Sequence, residues 1–331
     1  MDILSTLKSR AMAKGGNIVL PEAFDRRTLE AAQMITEQKL AKVILIGSEG
    51  AIKEDAQKWD VCLSGCDIID PQSYHDIDRF ANFFYEKRKD KGITPSQAAE
   101  TVRQPLFFGA LLVKFGIADG MVAGAANTTA DVLRAALQVV GVKQGLKTVS
   151  SCFIMVLPDF MGEERVMFFA DCAVVPLPDA SQLADIAMST AETHRALLGE
   201  DPVVAMLSFS TKGSAEHELV QKVRDAIQIM TDRKADFAFD GELQLDAAIV
   251  PKVAASKAPG SKVAGKANTL IFPDLQSGNI GYKIAQRIGK TEAIGPIIQG
   301  LAAPICDLSR GCSTEDIVNT AVLVLLMANK K

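Results

Sequence analysis

Short apolar runs and amphipathic stretches take turns along this chain. Asn17 to Leu20 (NIVL) is a buried-looking run closed by Pro21, and a helical stretch follows from about Arg26 to Gln38. Lys42 to Ile46 (KVILI) is a second strand, ended by Gly47-Ser48. Helical periodicity then covers Ile77 to Lys89 and Ser96 to Phe115. A third strand, Ala118 to Ala123, feeds a turn and a helix over Ala130 to Val139. Strands separated by helices predict an α/β protein with a mainly parallel sheet covered on both faces.

The pattern restarts in the middle of the chain. Ser150 to Leu157 and Arg165 to Ala170 are apolar strands joined by the polar turn DFMGEE, which predicts a hairpin, and Cys172 to Val175 reads as a further strand. Asp179 suits the cap of a helix running to about Leu198, followed by a strand at Val203 to Phe209 and a helix from Ala215 to Met230. Thr269 to Phe272 is a strand and Gly278 to Ile288 a helix. The Lys-, Ser-, Gly- and Pro-bearing segment from Ala254 to Ala267 reads as an exposed loop. Near the end, Ile317 to Met327 is apolar almost without interruption, so it is buried on all sides, in a core or at an interface.

Length and composition change the picture only by exclusion. At 331 residues the chain is long enough for two domains of ordinary size. A net charge of -4 argues against a nucleic-acid binder. The six cysteines and three histidines are scattered, which argues against a metal site and for free thiols in a reducing, cytoplasmic setting. The start of the chain carries alternating charge without a long apolar centre, so it does not resemble a secretory signal. No apolar run approaches the roughly 18 residues that cross a bilayer.

The richest chemistry lies in Gln299 to Asp316, QGLAAPICDLSRGCSTED. A hydroxyl (Ser309), a guanidinium (Arg310) and Gly311 precede a helix start, and Asp316 follows inside that helix. A helix N-terminus suits an anion, and an arginine beside it forks onto phosphate or carboxylate oxygens. Locally, Ser313 and Asp316 equally read as a capping box.

Gly120 to Arg134, GMVAGAANTTADVLR, is the second feature. Its small residues allow backbone to approach a ligand, and Thr128 or Thr129 caps the next helix. Arg134 sits early in that helix, where the dipole disfavours a cation; it pairs with Asp131 or faces the same anion. Arg88 lies in the basic run FFYEKRKDKGIT, by itself a solvated face.

DLSRGCS followed by Asp316 and an apolar helix resembles the C-terminal signature of the phosphate acetyltransferase and phosphate butyryltransferase family. The Asn-Thr-Thr turn and the segments MLSFSTKGSA, FDGELQLDAAIVP and NTLIFPDLQSGNIGYKIAQR extend the resemblance over nearly the whole chain. It departs at Ser151-Cys152, where many family members carry Gly or Ala; Cys152 is given no catalytic part.

The resemblance implies two α/β domains with an interdomain cleft, the isocitrate/isopropylmalate dehydrogenase-like fold. Residues 1–143 and 300–331 would form one domain and 144–299 the other. It implies reversible acetyl transfer between coenzyme A and phosphate, in a ternary complex without a permanently bound cofactor.

Ser309, Arg310 and Asp316 would be catalytic, with Asp316 the general base, its pKa raised by burial. Arg88, Thr128, Thr129 and Arg134 would bind substrate, and Tyr282 and Lys283 would line the pocket. Acetyl-CoA, phosphate and acetyl phosphate would be the partners, in a homodimer. A butyryl-specific transferase is the nearest alternative. An NAD-dependent decarboxylating dehydrogenase of the same fold is more remote, since no G-x-G-x-x-G opens a βαβ unit. A catalytically dead acyl-CoA-binding module would bind ligand without phosphate-dependent thiol release.

Overall fold

The computed structural model describes residues 3–328. The chain divides into two compact units: Gln144–Gly300, and the preceding chain up to Lys143 joined by the segment from Leu301 onward.

The discontinuous unit begins with α1 (Ile3–Lys14), β1 (Asn17–Leu20), α2 (Arg26–Glu37), β2 (Lys42–Ile46), α3 (Glu49–Lys58) and β3 (Cys66–Ile69). It continues through α4 (Ile77–Arg88), α5 (Pro95–Thr101), α6 (Pro105–Lys114), β4 (Gly120–Ala123) and α7 (Thr129–Val139). The Ser96 to Phe115 helix expected from periodicity is two helices. Pro105 has no N–H to donate and disfavours the helical conformation at Gln104, so α6 starts afresh there.

The middle unit holds β5 (Ser150–Phe160), β6 (Glu163–Ala170), α8 (Ala180–Leu198), β7 (Val203–Leu207), α9 (Glu218–Asp232) and β8 (Ala238–Leu243). After it come α10 (Leu245–Ile249), α11 (Pro251–Lys257), β9 (Thr269–Ile271), α12 (Leu275–Arg287) and β10 (Glu292–Gln299). The chain then returns to the first unit as β11 (Ile305–Asp307) and α13 (Thr314–Met327).

The first unit's sheet runs β11-β4-β1-β2-β3, with every pairing parallel. β4 is buried along its whole length and β1 along most of it, which is why both read as unbroken apolar runs. α13 packs against α1, α2 and β4, so its all-round apolar character is core burial within its own unit.

The middle sheet runs β10-β5-β6-β9-β7-β8 and is mixed. The predicted hairpin is present as antiparallel β5 and β6, and β10 adds a second antiparallel pairing at the edge. Cys172 to Val175 is not a strand. The Asp171 carboxylate accepts hydrogen bonds from the backbone N–H groups of Ala173, Val174 and Val175, holding the segment as a turn. Nor is Ala254 to Ala267 an exposed loop: α11 opens it, and Ala254, Ala258, Val263, Ala264 and Ala267 are buried in the unit's core. Its polar residues marked the outward positions and hid the apolar ones between them.

Candidate active site

β11, β4 and β1 are parallel neighbours, so their carboxyl ends lie side by side. Ligands of open α/β sheets collect at such ends. The loops that leave these strands are cross-linked by three side chains.

Glu22, one residue beyond Pro21, is 2% exposed. Its Oε2 accepts from the backbone N–H groups of Gly124 and Ala125, both at 2.9 Å. Its Oε1 accepts from the backbone of Ala126 at 3.1 Å and Asn127 at 2.8 Å, and from Asn127 Nδ2 at 2.7 Å. The small-residue loop after β4 therefore does wrap a carboxylate, but the carboxylate is the chain's own. Gly124 adopts φ +108°, and a Cβ there would lie 2.4 Å from the Leu308 carbonyl oxygen and 2.5 Å from Asp307 Oδ1. Only glycine lets the β4 and β11 loops approach this closely.

Arg27, in the first turn of α2, is held in a fork by Asp25. Its Nε donates to Asp25 Oδ1 at 3.0 Å and its Nη2 to Oδ2 at 2.7 Å. Nη2 also donates to the Ala125 carbonyl at 2.7 Å, and Nη1 to the carbonyls of Arg310 and Cys312, each at 2.9 Å. The Arg27 guanidinium holds the Asp25 carboxyl below its usual range.

Asp307 ends β11 and is 5% exposed. Thr129 Oγ1 donates to its Oδ2 at 2.5 Å, while its buried Oδ1 has no hydrogen-bond partner. Burial pushes its pKa up to about 6, opposed by the Thr129 hydrogen bond and assisted by the like charge of Glu22.

The residues singled out in the sequence fall around this framework. Ser309 and Arg310 are exposed on the loop after β11. The Ser309 hydroxyl oxygen accepts from the Gly311 N–H at 3.2 Å, and the Arg310 guanidinium makes no hydrogen bond or ion pair among the described residues. Ser313 and Asp316 form a reciprocal capping box on α13. Asp316 Oδ2 accepts from the backbone and hydroxyl of Ser313 at 2.8 and 2.9 Å, leaving Oδ1 unbonded. Asp316 is exposed, which corrects the expectation that it is buried: its place in the first turn of α13 faces it outward.

Thr128 caps α7, accepting from the Asp131 backbone at 3.2 Å and donating to the Asp131 carboxylate at 2.7 Å. Thr129 spends its hydroxyl proton on Asp307. Arg134 pairs with Asp131 at 2.7 Å, with both side chains about half exposed. Within the basic run, Lys87 donates to the Val139 carbonyl at the end of α7, and Lys89 pairs with Glu86. Arg88 has no hydrogen bond or ion pair among the described residues, so its head group is free for a ligand.

Tyr282 and Lys283 belong to the middle unit. There Tyr282 stacks on Phe153 with ring centroids 4.3 Å apart, and Lys283 donates to Asn279 at 2.8 Å.

Sequence reasoning missed Glu22, Arg27 and Asp307. Each carried a signal. Glu22 follows a strand end, where open sheets place ligands. Arg27 is a cation in a helix's first turn, the same anomaly that marked Arg134. Asp307 is a lone carboxylate in an apolar strand.

Comparison with known proteins reports the same architecture. The profile described as phosphate acetyl/butaryl transferase matches residues 2–325. A phosphate acetyltransferase of Treponema pallidum is 50% identical over 334 residues, covering 99% of both chains. A solved phosphotransacetylase from Streptococcus pyogenes is 45% identical with a TM-score of 0.92, covering 98% of this chain and 97% of its own. A putative 4-hydroxythreonine-4-phosphate dehydrogenase from Salmonella typhimurium is 12% identical with a TM-score of 0.55, covering 94% of this chain and 99% of its own, a likeness of fold alone.

Proposed function

The chain belongs to the phosphate acetyl/butaryl transferase family, and on that premise we propose that it is a phosphate acetyltransferase. It moves an acetyl group between coenzyme A and inorganic phosphate: acetyl-CoA and phosphate in equilibrium with coenzyme A and acetyl phosphate. The observation that carries the reading is the anchored loop after β11. Among the described residues it leaves the Arg310 guanidinium unpaired and the Ser309 hydroxyl proton uncommitted beside the start of α13.

In the direction of acetyl-CoA synthesis, Asp316 Oδ1 takes the proton from the coenzyme A thiol. A thiol of pKa about 8.5 is a weak nucleophile until that proton leaves. The thiolate attacks the acetyl carbonyl carbon, and Ser309 and Arg310 stabilise the oxyanion that develops. The C–O bond to phosphate then breaks, and phosphate departs with that electron pair against Arg310. Arg134 exchanges its Asp131 partner for substrate oxygens, and Arg88 contributes a further cation to coenzyme A. Thr128 and Thr129 bind substrate at the start of α7 once their hydroxyls turn from Asp131 and Asp307, and Tyr282 and Lys283 are the substrate-binding candidates of the middle unit.

Direct transfer is favoured over an acyl-enzyme. His194 is buried, with Nδ1 on Thr269 Oγ1 at 2.9 Å, and burial lowers its pKa to about 4. His217 accepts from the Leu219 N–H at the start of α9. Cys312 lies two residues from Arg310 in the same loop, but burial pushes its thiol up, away from thiolate.

The two-domain dehydrogenase-like fold is the fold class we assign, with the expected division at 1–143 plus 300–331 and 144–299, save that Gly300 falls with the middle unit. No helix among the described residues is long and apolar enough to cross a membrane. A cytoplasmic homodimer fits an exposed isoleucine ridge on and just after α12, at Ile280, Ile284 and Ile288. Sedimentation of Ile284→Glu against the parent tests that ridge, with a shift to monomer expected.

The activity itself is tested by thiol release from acetyl-, propionyl- and butyryl-CoA, with and without phosphate. Phosphate-dependent release, fastest with acetyl-CoA, is expected. Release independent of phosphate would refute the reading.

A further inference from the structure

We propose that Arg27 is a positioning residue, which fixes the main chain of the catalytic loop from which Ser309 and Arg310 project. The proposal rests on the function given above but concerns a residue that touches no substrate.

An arginine guanidinium carries five N–H donors in a rigid plane. At Arg27 all five are committed: Nε and one Nη2 hydrogen to Asp25, the other Nη2 hydrogen to Ala125, and both Nη1 hydrogens to Arg310 and Cys312. No donor is left for a ligand, so Arg27 is not itself an anion-binding residue. The Asp25 carboxylate is bidentate and sets the plane of the fork, which then aims the remaining donors at three carbonyl oxygens on two other loops.

Two of those carbonyls belong to Arg310 itself and to the residue two positions on. Arg310 and Cys312 lie on either side of Gly311, and the Cys312 N–H closes the turn onto the Ser309 carbonyl at 2.9 Å. Local bonds close the turn on itself, but the exposed Arg310 side chain, with no partner among the described residues, does not tie it to the rest of the unit. Arg27 holds both of its main-chain anchor points at 2.9 Å. The Ala125 bond ties the same fork to the loop that wraps Glu22.

Lysine cannot reproduce this geometry: its ammonium has three donors on one atom and no plane. A misplacement of about 1 Å at a catalytic group costs on the order of 100-fold in rate. Arg26, one residue earlier, supplies a control. It pairs with Glu30 on the surface at 2.7 Å and reaches none of these carbonyls.

The experiment compares the parent, Arg26→Lys, Arg27→Lys and Arg27→Gln in the full chain. Three readings are taken: thermal midpoint, kcat and KM for phosphate-dependent thiol release, and hydrogen exchange of the amides of residues 308–313. Expected for Arg27→Lys are a kcat lower by about 30- to 100-fold, KM values within about 3-fold, and faster amide exchange in that segment. Arg26→Lys should match the parent. Combined with Arg310→Gln, Arg27→Gln should add little further loss, because a loop without its arginine has less to gain from being held.

A folded Arg27→Lys with parental kcat and parental exchange would overturn the proposal, as would full additivity with Arg310→Gln. Hydrogen exchange separates the two levels of the reading. If the parent shows no phosphate-dependent release, the assigned activity fails, while faster exchange in Arg27→Lys still establishes the anchoring. Should Arg27→Lys fail to fold, Arg27→Gln carries the same comparison. If both fail, Arg27 is a folding residue and the positioning role is rejected.

Discussion

Both nitrogens of Asn127 point at a single oxygen of Glu22: the backbone N–H at 2.8 Å and the side-chain Nδ2 at 2.7 Å. Three further backbone donors complete the shell around that buried carboxylate. The turn leading into α7 is thus shaped around an internal anion, with its amides spent before substrate arrives. Phosphate must be held by side chains and by the helix start.

Replacing Glu22 by Gln puts an amide NH2 against N–H donors that now meet an oxygen. Hydrogen bonds to a charged acceptor contribute about 1.5–3 kcal/mol each, so the first unit should lose about 3 kcal/mol. Denaturant unfolding of parent and variant checks this, and an unchanged midpoint would contradict the internal-anion account.

Gly124→Ala should be damaging although it adds one methyl. The new Cβ would meet backbone of Leu308 and the Asp307 carboxylate, at a φ of +108° that L residues rarely adopt. A stability loss of about 1–3 kcal/mol is expected, with turnover falling further than stability because the β11 loop is displaced. Thiol release on the folded fraction distinguishes the two effects.

Asp307 should make stability depend on pH. The fold raises its pKa from 3.8 to about 6, so it favours the protonated form. Its stabilising contribution is full below pH 3.8 and is lost as the pH climbs through about 6, a swing of about 3 kcal/mol. Asp307→Asn keeps the size without the charge, so the gap between variant and parent stability should widen in the variant's favour from pH 4 to 7. A gap independent of pH would mean that Asp307 ionises normally.

Arg310→Gln removes the unpartnered guanidinium and should cost about 2.7–4 kcal/mol of transition-state stabilisation, with little change in folding. Asp316→Ala should lower kcat by about 100-fold or more if it is the base. It should also lose about 1 kcal/mol from the broken capping box. Asp316→Asn separates these effects, since it can still accept from Ser313 but cannot take a proton.

Arg88→Gln should raise KM for coenzyme A by about 10-fold, a loss of about 1.4 kcal/mol in binding. Lys87→Gln should leave it nearly unchanged, because Lys87 is tied to the end of α7. Initial-rate kinetics on both variants give the answer, and equal effects would contradict the distinction.

The family resemblance, the α/β class and most of the buried strands were legible along the chain. A strand covered on both faces must be apolar throughout, and a capped helix must begin with a suitable side chain; both are local requirements. The edge strand β3, with only four residues and none of them fully buried, left too faint a pattern, and Pro105 split a helix that periodicity had joined. Ser309 and Arg310 stood out because their residue types carry chemistry wherever they fall. What folding alone decided is partnership. Glu22 and Asn127 are separated by 105 positions, and Arg27 and Cys312 by 285. Only the parallel order β11-β4-β1 brings these loops together. A carboxylate or guanidinium in isolation does not reveal whether it will face substrate or its own backbone, because that depends on which donors and acceptors the rest of the chain delivers to it.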